Sequence, residues 1–303
     1  SIDALITAAQ EWNTRAVGLM DTNTLSGAVQ FYKKARAVDL HPVIGSHVSL
    51  PSGASAGLLV ENPTGYRNLC RLISTLIAHP QGVLWEDVAR YSEGLICLLG
   101  PDSEPAHRIR RNESPEAALE RYQELFPNRL ALAIAPHHED DLRMSRLFAA
   151  IGRKRRIPLV AAAHAHYREP QDRLQYDILS SMRTLTLLTQ SHPGKRPAGN
   201  YHLHSPEEME RHFGALPQAI ENSHRIAERC QFDFELGDIR FPRFPLAANE
   251  SAVGRLRQLT NEGVRWRYGA APRAEVQERL ERELSVIAEV GYAEYFLIFH
   301  DIV

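Results

Sequence analysis

Six short apolar runs, at 16–20, 42–45, 57–60, 95–99, 130–135 and 157–163, constrain the fold more than any other feature of the chain. Each is too short for a buried helix but long enough for a buried strand, which hides both faces and so loses the usual alternation. Between most of them lie stretches with apolar residues at helical spacing, at 25–38, 64–78, 115–125 and 140–155, after an opening one at 1–14. Apolar strands alternating with helices predict an α/β fold, a parallel sheet or barrel. With 303 residues, 44% of them apolar, the chain can bury a core of that size.

Beyond residue 170 the pattern changes. Residues 170–188 read as helical, and the polar, proline- and glycine-rich stretch 191–200 reads as a loop. Ser205-Pro206-Glu207-Glu208 is a helix start, with Ser205 as N-cap, Pro206 at the first position and Glu208 closing a capping box. A further helix is expected at 217–229. Phe241-Pro242-Arg243-Phe244-Pro245 then breaks regular structure and marks a boundary, so the expected domains are 1–240 and 241–303. The second holds amphipathic helices at about 250–267 and 273–290 and an aromatic run at 295–299. Starting at Ser1 inside an amphipathic pattern and ending at Val303 without a helix stop, the chain reads as part of something longer.

A net charge of -2 does not call for a polyanionic partner. The cysteines Cys70, Cys97 and Cys230 are odd in number and lack a Cys-x-x-Cys pair, which suits a reduced, cytoplasmic protein better than a disulfide frame. No run approaches the roughly 20 apolar residues of a membrane span, and no signal peptide is legible.

Chemistry is expected at the carboxyl ends of the strands, where α/β sheets and barrels place their sites. Asp21 ends the first run, His47 follows the second, His137 and His138 follow the fifth, and His164 and His166 follow the sixth. Imidazole and carboxylate are ligands for zinc, manganese and iron, so Asp21, His47, His137, His164 and His166 form the candidate metal set. Each has a plainer reading. A histidine beside a strand end is commonly a solvated loop residue, and Asp21 before Thr22-Asn23 can cap the next helix. His79, His107, His192, His202, His204, His212 and His224 are expected to be of the solvated kind. Lys195 and Arg196 form a small basic patch within reach of nucleic-acid phosphate. Arg153-Lys154-Arg155-Arg156 ends a helix, where cations favour the dipole, and reads as structural. No Walker loop, GxGxxG or GxSxG is present.

Several segments, in order, resemble the PHP portion of bacterial C-family DNA polymerases, the DNA polymerase III alpha family. Residues from Ala16 through Asp21-Thr22-Asn23 to Tyr32 resemble the second PHP motif, and Pro42-Val43-Ile44-Gly45-Ser46 resembles the segment after it. Asn62-Pro63-Thr64-Gly65-Tyr66-Arg67-Asn68-Leu69 is similar to that family's N-x-x-G-Y-x-N-L helix start. Pro158 to Tyr167, with His164-Ala165-His166, resembles the late PHP motif. Tyr201 to Met209 and Glu283 to Ile298 resemble later segments, the last of them the lead-in to the palm.

The resemblance implies a distorted seven-stranded (β/α) barrel followed by helices leading into a polymerase palm. It implies zinc or manganese at the PHP site, magnesium for the polymerase, and DNA, deoxynucleotides and other replication or repair subunits as partners. The chain departs from the family pattern. The opening His-x-His pair is absent, Thr22 stands in place of histidine, His47 in place of glutamate and His164 in place of aspartate, while His137 and His166 match. The resemblance therefore implies a scaffold with residual metal binding at most, and the Thr22 form and the 193–197 loop incline it to the error-prone branch. The competing reading is a stand-alone metal-dependent PHP phosphoesterase similar to histidinol phosphatase.

Overall fold

In the computed structural model the apolar runs become strands and the periodic stretches become helices. It describes residues 1–135, 137, 139–192, 194–196, 199–237 and 242–303, without the side chains of Glu139 and Asp140. His138 therefore lies outside the described residues, as do parts of the 193–198 loop and the boundary expected at 240 and 241. Two compact units are present, Ser1–Phe234 and Glu235–Val303.

The first unit runs α1 (Ile2–Glu11), β1 (Ala16–Thr22), α2 (Ala28–Arg36), β2 (His41–Ser49), β3 (Ser55–Val60), α3 (Pro63–Ser74), α4 (Trp85–Arg90) and β4 (Leu95–Leu99). It continues through α5 (Glu104–Arg110), α6 (Glu116–Leu125), β5 (Leu130–Ile134), α7 (Glu139–Arg155), β6 (Leu159–Ala161), α8 (Arg173–Thr184), α9 (Pro206–Phe213) and α10 (Pro217–Arg229). Among the described residues the strands form one six-stranded sheet in chain order, β1 to β6. A lone parallel bridge joins Tyr167 to His202 beyond it.

The all-parallel expectation fails at β3, which runs antiparallel to both β2 and β4, while β1–β2, β4–β5 and β5–β6 are parallel. The cause is local. Only residues 50–54 connect β2 to β3, with Gly53 at φ +78 and Leu50 N donating to Ala54 O at 2.8 Å. A parallel return needs a crossover of a dozen or more residues, so a connection this short can only make a hairpin.

The sheet has two apolar faces. Leu19, Ile44, Leu58, Cys97 and Leu132 pack with the helices around Phe31, Leu69, Leu119 and Phe148. Met20, Val43, Leu59, Ile96, Ala131 and Val160 face the other way, where Ile226 of α10 and Cys230 just after it cover them. Asn222 Nδ2 donates to Leu159 O at 2.9 Å and His41 Nε2 lies 3.1 Å from Ala227 O, which tie α10 to that inner face. The basic end of α7 is structural, as its position predicts. Lys154 pairs with Glu116 at 3.2 Å, and Arg155 pairs with Glu116 and with Glu120.

The expected capping box at α9 is present. Glu208 N donates to Ser205 Oγ at 3.2 Å, and Ser205 N donates to Glu208 Oε2 at 2.8 Å. Ser205→Ala should therefore destabilise the first unit by about 1 kcal/mol, read as a lower denaturant midpoint with unchanged slope. A midpoint equal to that of the parent would show that the box adds nothing.

In the second unit α11 (Ala252–Tyr268), α12 (Ala274–Glu289) and α13 (Ala293–Ile302) pack around Leu256, Leu284, Ala293 and Leu297. Arg257 pairs with Glu281 across α11 and α12 at 2.5 Å, and Phe244 N donates to Glu294 at 2.8 Å. Among the described residues no helix is long and apolar enough to cross a membrane.

Candidate functional site

On the inner face, small residues leave room for imidazoles. A Cβ on Gly57 would lie 3.4 Å from His47 Cε1. One on Gly100 would lie 3.3 Å from His164 Nε2 and 3.9 Å from Ala133 Cβ. His47 comes from within β2, opposite Thr22 of β1, because that strand runs beyond the apolar run that announces it. His137 follows β5, and His164 and His166 follow β6, which stops at Ala161. His164 adopts φ +40, a left-handed conformation that only a few per cent of non-glycine residues take.

The ring centroids of His47 and His164 lie 5.2 Å apart, and those of His137 and His164 6.3 Å apart. His166 stacks on Tyr176 at 5.2 Å and lies 5.8 Å from Tyr201, which in turn stacks on His137 at 4.2 Å. The backbone ties the same residues together. His166 N donates to Tyr201 O at 2.8 Å, and Asn200 N donates to His137 O at 3.1 Å. His137 Nδ1 sits 2.7 Å from Asn200 O. A carbonyl only accepts, so Nδ1 carries the proton there and the lone pair is on Nε2. All four candidate histidines thus share one cluster.

Asp21 does not join it. Met20 packs on the inner face and Leu19 on the helix side, so strand alternation sends Asp21 to the helix side and Thr22 to the inner one. Asp21 Oδ2 accordingly lies 3.7 Å from a Cβ built on Gly27, at the start of α2, and Asp21 is exposed.

The cluster's carboxylate is Asp102, which the sequence reading missed. It follows β4 just as the histidines follow β5 and β6, so the same carboxyl-end rule could have found it. Arg196, read as a phosphate contact, is its partner. Arg196 Nη1 donates to Asp102 Oδ2 at 2.6 Å, and Arg196 Nε donates to His166 Nε2 at 3.1 Å. Lys195 is turned to its own loop, with Nζ donating to Leu187 O at 2.6 Å and Gln190 O at 3.0 Å.

The electrostatics follow. Burial pushes His47 down to about 4, with Arg196 adding to the shift and Asp102 opposing it. Burial, then Arg196, His137 and His47, bring His166 to about 4. Burial and the neighbouring histidines hold His164 well below the ordinary imidazole range. Burial works against the Asp102 carboxylate, but Arg196 holds it below its usual range. At neutral pH the site therefore holds an Arg196–Asp102 ion pair beside the neutral rings of His47, His164 and His166.

That arrangement does not fit the metal that the resemblance implies. Zinc and its neighbours need several N or O donors about 2 Å from one point. Among the described residues no three His, Cys, Asp or Glu side chains are so placed. The His166 Nε2 lone pair already accepts from Arg196, whose fixed positive charge would repel a cation beside it.

A second histidine group lies nearby in sequence. His204, expected in solvent, is only 5% exposed, stacked on His202 at 4.3 Å and edge-on to His212 at 5.1 Å. Burial, then His202 and His212, lower it to about 4. Among the described residues neither of its ring nitrogens has a side-chain hydrogen-bond partner.

Comparison with known proteins adds the family. Residues 1–137 match the PHP domain, and residues 254–303 match the bacterial DNA polymerase III alpha NTPase domain. The error-prone DNA polymerase of Symbiobacterium thermophilum is 31% identical over 100% of this chain and 30% of its own length. That of Pseudomonas aeruginosa is 32% identical over 100% of the chain and 29% of its own length. The DNA polymerase III subunit alpha of Borreliella burgdorferi is 29% identical over 100% of the chain and 28% of its own length. The chain thus spans under a third of these relatives. Residues 1–137 match a PHP domain, in a chain similar along its whole length to part of the bacterial error-prone and DNA polymerase III alpha-subunit polymerases.

Proposed function

We propose that these residues are the PHP portion of a DNA-directed DNA polymerase of the error-prone branch, acting as a scaffold for the synthesis centre. One observation carries this: the PHP match and the polymerase III alpha match occur in order on one chain that aligns end to end with named polymerases. A stand-alone phosphoesterase has no use for the second match. In this reading residues 241–303 lead into the palm of the longer protein. That protein uses magnesium, deoxynucleotides and DNA, with replication or repair subunits as further partners. The polymerase chemistry lies outside these residues, because two-metal phosphoryl transfer needs clustered carboxylates on the palm. The PHP sheet, a counterpart of the family's seven-stranded barrel, supports the polymerase without hydrolysing phosphate esters. Zinc or manganese finds no ready seat while Arg196 engages His166 and Asp102.

Primer extension tests this. The reading frame that contains the chain should extend a primed template, and the purified 303 residues should not. Magnesium-dependent extension by the 303 residues would sink the reading, as would a full frame that hydrolyses phosphate monoesters and extends nothing.

A further inference from the structure

We propose that the outer face of α8 and the turn after it form a homodimer interface, on which a second copy of this chain seats the same face about a two-fold axis. The inference concerns the 303 residues themselves and holds whether or not the longer protein polymerises DNA.

α8 has two unlike sides. On one, Tyr176 stacks on His166 and Ser180 is buried in the first unit. The opposite side carries Leu174, Ile178, Leu179 and Met182 at helical spacing, each between 44% and 67% exposed. The apolar surface runs on past the helix end through Leu185, Leu187 and Leu188, which are 93%, 73% and 49% exposed. Ile178, Met182, Leu185, Leu187 and Leu188 line one shallow groove, so the patch is continuous.

The turn that extends it is fastened. Leu185 sits at φ +52, a conformation unfavourable for a bulky side chain that persists only where its surroundings impose it. Thr186 N donates to Ser181 O at 3.1 Å, and the hydroxyls of Thr184 and Thr186 bond at 2.8 Å. Lys195 Nζ holds the far side through Leu187 O and Gln190 O. Three leucines are thus presented to solvent on a backbone with little freedom left to lose on docking.

Area and charge select a second copy as the occupant. The seven exposed fractions amount to about four and a half whole side chains, or roughly 450 Å² of apolar surface at ~100 Å² apiece. That is close to the apolar share, about 65%, of the ~800 Å² that each partner gives to a standard homodimer interface. The two ends of α8 also differ in charge. Glu169 and Asp172 precede it, where Arg168 is matched by Glu11 at 3.0 Å and Arg173 by Asp177 at 2.8 Å. Arg183 and Lys195 gather at its other end. An antiparallel pair about an axis near Leu179 brings each acidic start beside the partner's basic end and aligns the two helix dipoles favourably.

Sedimentation of the 303-residue chain from about 1 to 100 μM, the weak end for an interface of this size, tests the proposal. The mass should rise from one copy to two and stop there. Leu179→Glu sets a charge near the axis and should weaken association at least about 100-fold. Because Leu179 is exposed in the single copy, the thermal midpoint of the variant's monomer should stay within about 2 °C of the parent's. Should Leu179→Glu misfold, Met182→Glu serves in its place. Phe296→Glu, on the exposed side of α13, should leave association unchanged. A chain that stays monomeric at the top of the range overturns the proposal and leaves the face to another occupant. A dimer that survives both α8 substitutions overturns it too, as does one broken by Phe296→Glu or a mass that climbs beyond two copies.

Discussion

Gly65→Ala should lower the stability of the first unit by about 3 kcal/mol or more, because the added methyl group would run into backbone. A Cβ built on Gly65 would stand 1.8 Å from Gly94 O and 2.6 Å from Gly94 C. Neither chain can step aside cheaply. Asn62 Oδ1 accepts from Gly65 N at 3.1 Å to start α3, Glu61 N donates to Gly94 O at 2.9 Å, and Asn68 Nδ2 donates to Glu93 O at 2.9 Å. Gly94 itself sits at φ +70, with Asn62 Oδ1 2.4 Å from where its own Cβ would be. The glycine of Asn62-Pro63-Thr64-Gly65-Tyr66 is thus a contact between two backbones. At about 2–4 °C per kcal/mol for a unit of this size, the thermal midpoint should fall by roughly 6–12 °C. A fall of under about 2 °C would mean that α3 can shift away from the turn before β4 at little cost.

The second large effect is with pH. His47, His166 and His204 have folded pKa values of about 4, and His164 lies well below its ordinary range, against about 6.5 in the unfolded chain. A depressed histidine pKa means that the unfolded chain takes up protons first as pH falls. The stability from keeping these rings neutral is complete above about pH 6.5 and is lost progressively toward pH 4. Between pH 6.5 and 5 a fully buried ring loses about 2 kcal/mol. His204 approaches that figure, half-buried His47 falls short of it, and His166, whose side chain is partly exposed although its ring is shielded, adds less. Together the first unit should lose about 3–5 kcal/mol between pH 7.5 and pH 5. The measurement is the urea midpoint at the two pH values, with and without His204→Asn. The substitution should flatten the dependence. A midpoint that does not move with pH would show that these rings stay solvated.

Much of the fold was legible because buried strands announce themselves as apolar runs. All six runs became strands, and Ser205 and Glu208 marked a helix start that the structure contains. The direction of β3 was misread because periodicity carries no sign. Only the length of the 50–54 connection reveals the reversal. Asp21 was expected beside the histidines and lies on the other face for a related reason. Which face a residue takes depends on parity, and one residue of uncertainty about a strand changes the answer. The four histidines were found through their place at strand ends, whereas Asp102 hid behind Gly100-Pro101 after β4. Arg196 was seen but its pairing with Asp102 and His166 was not, since nothing local to residue 196 points to residues 102 and 166.

Strand order along the sheet equals strand order along the chain. Each strand can therefore dock on the one made just before it, so no pairing waits on a distant partner and the entropic cost of closing long loops stays low. During synthesis the sheet can extend edge by edge as the ribosome releases it. The inner face stays uncovered until residues 217–230 emerge, because α10 and the residue after it supply Ile226 and Cys230 to cover it. A ribosome paused before that helix would hold a nearly complete sheet with one greasy side bare, the moment at which a chaperone has most to grip.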